Sequence, residues 1–201
     1  MPRINAEYRK MAKKKIINAA IEVAVENGWD AVTLEAIAKR MNISKGTLYV
    51  YFENGDALHR EVIYEVFRRL KINLVSVCRK SEDIHQVVRE IAELIFEQQR
   101  PYTAIFCQIP SQIPHDGEHR SDFIRLYDQN AGVIRDFLQE MKIKGNISPH
   151  IDADSAADII LALTIGLRIK TLFLGRDSHI AKLMWIQTIE RILLIEPAYD
   201  G

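Results

Sequence analysis

The chain has 201 residues, 48% apolar and 27% charged, with 27 Lys or Arg balanced by 27 Asp or Glu. This is the composition of an ordinary globular protein, with enough chain for one good core or for a small head on a larger body. A formal net charge of zero gives the chain as a whole no pull on nucleic acid, but residues 1–52 hold nine basic against five acidic side chains and the remainder eighteen against twenty-two. A basic head on an acidic body is the asymmetry expected where one end meets phosphates, and a solvated charge run is the plainer alternative. Cys78 and Cys107 lie far apart in apolar surroundings, which suits free thiols in a reducing compartment rather than a disulfide framework. No apolar stretch has signal-peptide or membrane-span length, so a soluble, cytoplasmic protein is expected.

Helical periodicity dominates, and no stretch shows the alternation of a strand. The first helix is expected from about Ala12 to Glu26, with Ile17, Ala20, Ile21 and Ala24 on its inward stripe and Asn27-Gly28 as its stop. Trp29 should fold back on a small core. Thr33 is placed to cap a second helix burying Ile37, Ala38 and Met41, with Glu35 favouring its dipole. Asn42 supplies a left-handed turn, Ile43 fills it, and Ser44 caps a third, very short helix. Asn54 caps a fourth, long helix to about Arg79, with Leu58, Val62, Val66, Leu70 and Leu74 along it. Further helices are expected at about 82–100, 102–109, 120–143, 152–174 and 178–195, separated by a Pro/Gly loop at 110–117 and turns at 145–149 and 175–178. The fold class is all-α: an N-terminal three-helix head, residues 1–53, and a helical body, residues 54–201.

The chemistry sits at residues 33–52. A helix of about nine residues, a three- or four-residue turn and a short second helix have the spacing of a helix-turn-helix. Ala38 is small where the helices cross, and Leu48 faces inward. The outward face is Lys45, Gly46, Thr47, Tyr49 and Tyr51. Gly46 lets backbone N–H groups approach a phosphate; Thr47 and the tyrosine hydroxyls suit phosphate oxygens; Lys45 suits a guanine edge or a phosphate. Thr33 and Ser44, opening the two helices, complete the DNA-contact set, with Lys13, Lys14 and Lys15 as candidates for the DNA backbone. The plain alternatives are surface aromatics packed on the fourth helix and a solvated helix start.

These residues carry a resemblance. Ile16-Ile17-Asn18-Ala19-Ala20, Asn27-Gly28-Trp29, Thr33-Leu34-Glu35-Ala36-Ile37-Ala38 and above all Ile43-Ser44-Lys45-Gly46-Thr47-Leu48-Tyr49-Val50-Tyr51-Phe52 make residues 13–63 resemble the N-terminal domain of tetracycline-repressor (TetR)-type regulators. One position departs: where such proteins commonly carry a basic residue at the start of the fourth helix, this chain has Gly55, so that phosphate contact is in question. The resemblance implies a regulator of transcription, more often a repressor. It would bind double-stranded DNA at a near-palindromic operator as a homodimer, through about residues 152–195, and be released by a small-molecule effector.

It also implies a ligand cavity between about residues 60 and 175. Candidates for its lining are Phe96, Gln99, Tyr102, Phe106, Phe123, Tyr127 and Leu163, which favour an apolar ligand; His85, Arg89, Arg125 or Arg168 would instead suit an anionic one. The apolar faces of the last two helices, with Gly166 permitting close approach, serve either a dimer or simply the monomer core. His115 and His119 are spaced like metal ligands but lack a third partner, and Asp152, Asp154 and Asp158 crowd a helix start as caps do. No resident cofactor and no catalytic constellation is expected. The competing readings are a protein-interaction module that has lost DNA binding and a small-molecule-binding protein or enzyme with an incidental head.

Overall fold

A computed structural model describes residues 6–98, 100–109 and 117–193, and within these the secondary structure is helical. Helix α1 spans Ala6–Asn27 and ends at Gly28, whose φ of 87° takes the chain out of the helix into a single 3-10 turn, Trp29–Ala31. Thr33 Oγ1 accepts the Ala36 N–H at 3.1 Å and opens α2, Leu34–Met41. Asn42 adopts the left-handed conformation (φ 53°, ψ 45°), and the next N–H, that of Ile43, bonds back to Ala38 O at 3.0 Å. Ser44 then caps α3, Lys45–Tyr49, from which Leu48 points fully inward.

Asn54 Oδ1 accepts the Ala57 N–H (2.8 Å) at the start of α4, Gly55–Cys78. This helix passes through both apolar cores of the chain. Its Leu58, Val62 and Val66 close the core built on α1–α3, while Leu74, Val77 and Cys78 pack against the core of the body. Helix α5, Ile84–Glu93, is capped by Asp83 and runs into a π-type turn, Leu94–Gln98, so the helix expected over 82–100 is not uniform. Then come α6 (Arg100–Gln108), α7 (Glu118–Ile143), α8 (Ala153–Phe173) and α9 (Ser178–Ile192). Asp152 and Asp177 cap α8 and α9 through the N–H groups of Ser155 and Ile180. The body core joins α5, α7, α8 and α9 around Phe137, Leu138, Met141 and Trp185.

Two features go beyond the expected architecture. Helix α1 starts six residues earlier than its apolar stripe suggests. The packing of the head also does not stop at α4: Ile105 of α6 and Ile109 just after it are buried in the same core as Ile16, Ala20, Trp29 and Phe52. Helix α6 is therefore a second strut between head and body.

Candidate nucleic-acid interface and internal cavity

The cap of α3 sets the geometry of the outward face. Ser44 Oγ accepts the Thr47 N–H (3.1 Å) and lies 2.9 Å from Thr47 Oγ1, so the two hydroxyls form one fixed pair at the helix start. Lys45, Gly46 and Thr47 are exposed, Tyr49 is 51% exposed, and Tyr51 is half-buried against the head core. Thr33 is exposed beside them at the start of α2. Arg40, paired with Glu26 (2.7 and 2.8 Å) and Glu22 (3.0 Å), ties α2 to α1 and holds the whole element in register.

The three N-terminal lysines differ. Lys13 bonds Glu61 Oε1 at 2.5 Å and lies over the Phe52 ring, 5.6 Å from its centroid, so it is engaged within the protein; Lys14 and Lys15 are exposed. Arg9, which lies outside the expected helix, donates to the Val50 carbonyl at 3.0 Å and anchors the end of α3 to α1. Gly55 is the first residue of α4, and a Cβ there would meet nothing within 4 Å.

Inside the body lies a cavity of about 120 Å³ walled by α4 through α9, with Phe67, Phe106, Tyr127, Arg168 and Trp185 among its lining side chains. Of the residues expected to line such a space, Phe106 and Tyr127 are on its wall and four others are not. Phe96 sits behind Arg168, its ring centroid 5.8 Å from the guanidinium carbon. Tyr102 faces the head, where Arg69 Nη1 donates to its hydroxyl (2.7 Å) and the same guanidinium reaches Asn18 Oδ1 and Glu65. Phe123 stacks edge-on against Phe67, and Leu163 packs on the body core. Gln99 lies outside the described residues. The aromatic side chains were legible as apolar; the side of the helix each occupies was not.

Burial pushes the Cys78 thiol up to about 12 and raises that of Cys107, against the partial opposition of the nearby Arg168 charge. Both are thus protonated and unreactive. The Tyr127 phenol is raised by burial and then by Asp158 and Asp128. His115 and the side chain of His119 lie outside the described residues, among which no group of three His, Cys, Asp or Glu is arranged to hold a metal ion. Asp152 acts as the cap of α8, accepting from Ser155, whose hydroxyl bond lowers its pKa. No described helix is long and apolar enough to cross a membrane.

A direct link joins the two sites. Gln108 Oε1 accepts the Trp29 N–H at 2.8 Å, 79 residues away in sequence, and the same oxygen would lie 3.6 Å from a Cβ on Gly28. The preceding residue, Cys107, lines the cavity.

The family profile described as bacterial regulatory proteins, tetR family, matches residues 16–62, the stretch that contains α2, the turn and α3. The head of the chain is therefore of the tetR type. Among curated relatives, the biofilm operon icaADBC HTH-type negative transcriptional regulator IcaR of Staphylococcus aureus is 29% identical over 135 residues, covering 66% of this chain and 72% of its own. Two solved structures share the fold along almost the whole length. A transcriptional regulator of Saccharomonospora viridis in complex with choline superposes with a TM-score of 0.79 at 19% identity, covering 90% of this chain and 96% of its own. FadR of Bacillus subtilis in complex with stearoyl-CoA gives 0.74 at 16% identity, covering 88% and 96%.

That match, with the negative regulator among its relatives, makes the chain a DNA-binding regulator of transcription, with α2 and α3 as its helix-turn-helix. What sequence patterning missed is Arg9, the Tyr102–Arg69–Asn18 contact and Gln108. A second apolar stripe on α6, opposite Phe106, was the one available signal.

Proposed function

We propose that this chain is a ligand-responsive repressor, which occupies a near-palindromic operator as a twofold dimer and leaves it when a small molecule fills the body cavity. The observation that carries the reading is the arrangement on α6: Cys107 lines the cavity while the adjacent Gln108 holds the backbone of Trp29 in the head. Helix α4, which packs in both cores, is the other arm of the same connection. A ligand that prefers a body geometry with wrongly spaced heads must, by linkage, release DNA. Repression is supported by the negative regulator among its relatives, and a ligand-filled body by neighbours solved with choline and stearoyl-CoA.

In this reading residues 1–53 are the DNA-binding domain and 54–201 the ligand-binding and dimerisation domain. Lys45, Gly46, Thr47, Tyr49 and Tyr51 meet the DNA, with Thr33 and Ser44 at the flanking phosphates and Lys14 and Lys15 along the backbone. The dimer face is α8 with α9, where Ile159, Ile169, Phe173, Ile180, Leu183 and Met184 are exposed and a Cβ on Gly166 would meet nothing within 4 Å. A twofold axis through that face sets two copies of α3 about 34 Å apart, in successive major grooves. The protein works in the cytoplasm, where its DNA is, by binding alone and without a catalytic step or resident cofactor. Selection from random duplex DNA tests this: an enriched near-palindrome is expected, and no enrichment even at low salt overturns it in favour of an interaction module.

A further inference from the structure

The wall of the cavity narrows what can fill it. Among the described residues lining it, all but five are Leu, Ile, Val, Phe or Trp, and those five offer little to a charged ligand. Thr164 Oγ1 takes the Trp185 indole N–H (2.8 Å) and donates to Ile160 O (2.7 Å), and Asn130 Nδ2 donates to Leu126 O (2.9 Å). Burial keeps Cys107 a protonated thiol, a weak hydrogen-bonding group. The Tyr127 phenol lies within electrostatic reach of Asp158 and Asp128, whose exposed carboxylates repel an anion. Arg168, buried on α8, is held from within the protein. Its guanidinium carbon stands 5.8 Å from the Phe96 ring centroid, its Nη1 is 3.4 Å from Thr171 Oγ1, and the chain engages it beyond these contacts as well. A ligand carboxylate would have to take this side chain from partners it already has. The other basic side chains that would serve an anion are directed elsewhere: His85 faces Glu190 (3.0 Å), Arg125 bonds Asp122 (2.6 Å) in solvent, and Arg89 is exposed.

Size sets the second limit. A cavity of about 120 Å³ is slightly smaller than the engineered 150 Å³ cavity that holds benzene. It suits a compact body of about six to nine non-hydrogen atoms, and a long acyl chain exceeds it. The backbone around it is also special. One wall is the π-type turn after α5, which contributes Leu94 and Ile95, and such interruptions of a helix recur at functional sites. A space left open beside a broken helix, with apolar side chains turned into it, is dry ground for an apolar molecule and poor ground for an ion.

We propose that the cavity takes an uncharged hydrocarbon or hydrocarbon-like molecule of about the size of one aromatic ring, seated between Phe67, Phe106 and Trp185 and held by apolar burial rather than by an ion pair. The assignment rests on the reading of the body as a ligand-binding domain and names its ligand class. Because α6 contributes Phe106 and Cys107 to that space, the ligand lies directly against the strut that reaches the head.

The test uses full-length protein and four probes, toluene, phenol, benzoate and butylbenzene, with binding read by calorimetry and by thermal shift. Toluene should bind and raise Tm. Phenol should bind roughly fivefold or more weaker, because its hydroxyl gives up water for a wall whose polar groups are largely committed. Benzoate should not bind detectably at the same concentrations, since an ion loses more still. Butylbenzene should bind no tighter than toluene, although its three further methylenes would supply roughly fiftyfold if the space could bury them. Leu161→Phe, which enlarges a side chain on the wall, should keep the fold and lose toluene. No binding of toluene up to its saturation in water overturns the proposal, and so does phenol or benzoate binding as tightly as toluene. Tighter binding of butylbenzene overturns the size limit. Undiminished toluene binding in folded Leu161→Phe puts the site elsewhere and overturns the proposal; if that variant does not fold, the ranking on the wild type decides. Operator selection is read separately: DNA enrichment without toluene binding defeats this inference alone, whereas toluene binding without DNA enrichment supports it and defeats the regulator reading.

Discussion

Replacing Gln108 by Met probes the connection between cavity and head with little change in side-chain length. The wild-type carbonyl accepts the Trp29 N–H at 2.8 Å, where the chain leaves α1 and enters the 3-10 turn. Trp29 is buried, so its N–H has restricted access to water once that acceptor is gone. Leaving such a donor unsatisfied costs about 1–3 kcal/mol. For a chain of this size, that lowers Tm by roughly 2–12 °C. Gln108→Glu, which keeps an acceptor oxygen, should lose much less. The decisive assay pairs thermal unfolding of the three proteins with operator affinity measured with and without effector. Gln108→Met should bind effector normally yet transmit less of it, so that effector weakens operator binding by a smaller factor than in the wild type. Equal Tm values, or full effector response in Gln108→Met, would refute α6 as a strut.

Gly55→Lys should tighten operator binding, since the site has open space for a side chain and each new phosphate contact steepens the slope of log K against log salt by about 0.9. Its stability should hardly change, because the gain over glycine in a helix is offset by a cation at the helix N-terminus; an unchanged salt slope sinks this prediction. Glu65 is held at about 2, below the ordinary 4.5, by the hydrogen bond from Arg68 and then that from Arg69. A carboxylate lowered in the folded state stabilises fully above the ordinary value and loses that contribution as pH falls toward the folded one. Glu65→Gln should therefore be less stable than wild type at neutral pH, with the gap closing on acidification through that window; a pH-independent gap in denaturant unfolding contradicts the pairing. Leu183→Arg, on the exposed face of α9, should give a folded monomer by sedimentation with operator affinity largely lost, and a persistent dimer would move the interface elsewhere.

The head was readable because its punctuation is chemical. Asn42 could take left-handed backbone, Thr33 and Ser44 could cap, and Leu48 was the apolar residue in a polar quintet. The start of α1 was hidden because Ala6–Lys15 has no apolar stripe: Tyr8 and Met11 are exposed, and what holds those turns is Arg9 on the Val50 carbonyl and Lys13 on Glu61. Helix α6 carries apolar residues on two faces, and periodicity cannot say that Ile105 and Ile109 enter the head core while Phe106 meets the cavity. The π-type turn at Leu94–Gln98 follows no Gly or Pro, so nothing local announced it. Arg168 illustrates the same limit: the sequence offers it beside His85, Arg89 and Arg125 as a cavity cation, and only the packing of the neighbouring helices singles it out as the one on the cavity wall.

The central claim is that two copies of α3, fixed by the α8–α9 face, read one operator together. Its most direct test takes the duplex enriched by selection and inserts about five base pairs, half a helical turn, between the half-sites. The second half-site then lies on the opposite face of the DNA. A rigid twofold reader should lose affinity for the altered duplex down to about its level on a single half-site. Affinity equal to that for the parent duplex would contradict the account.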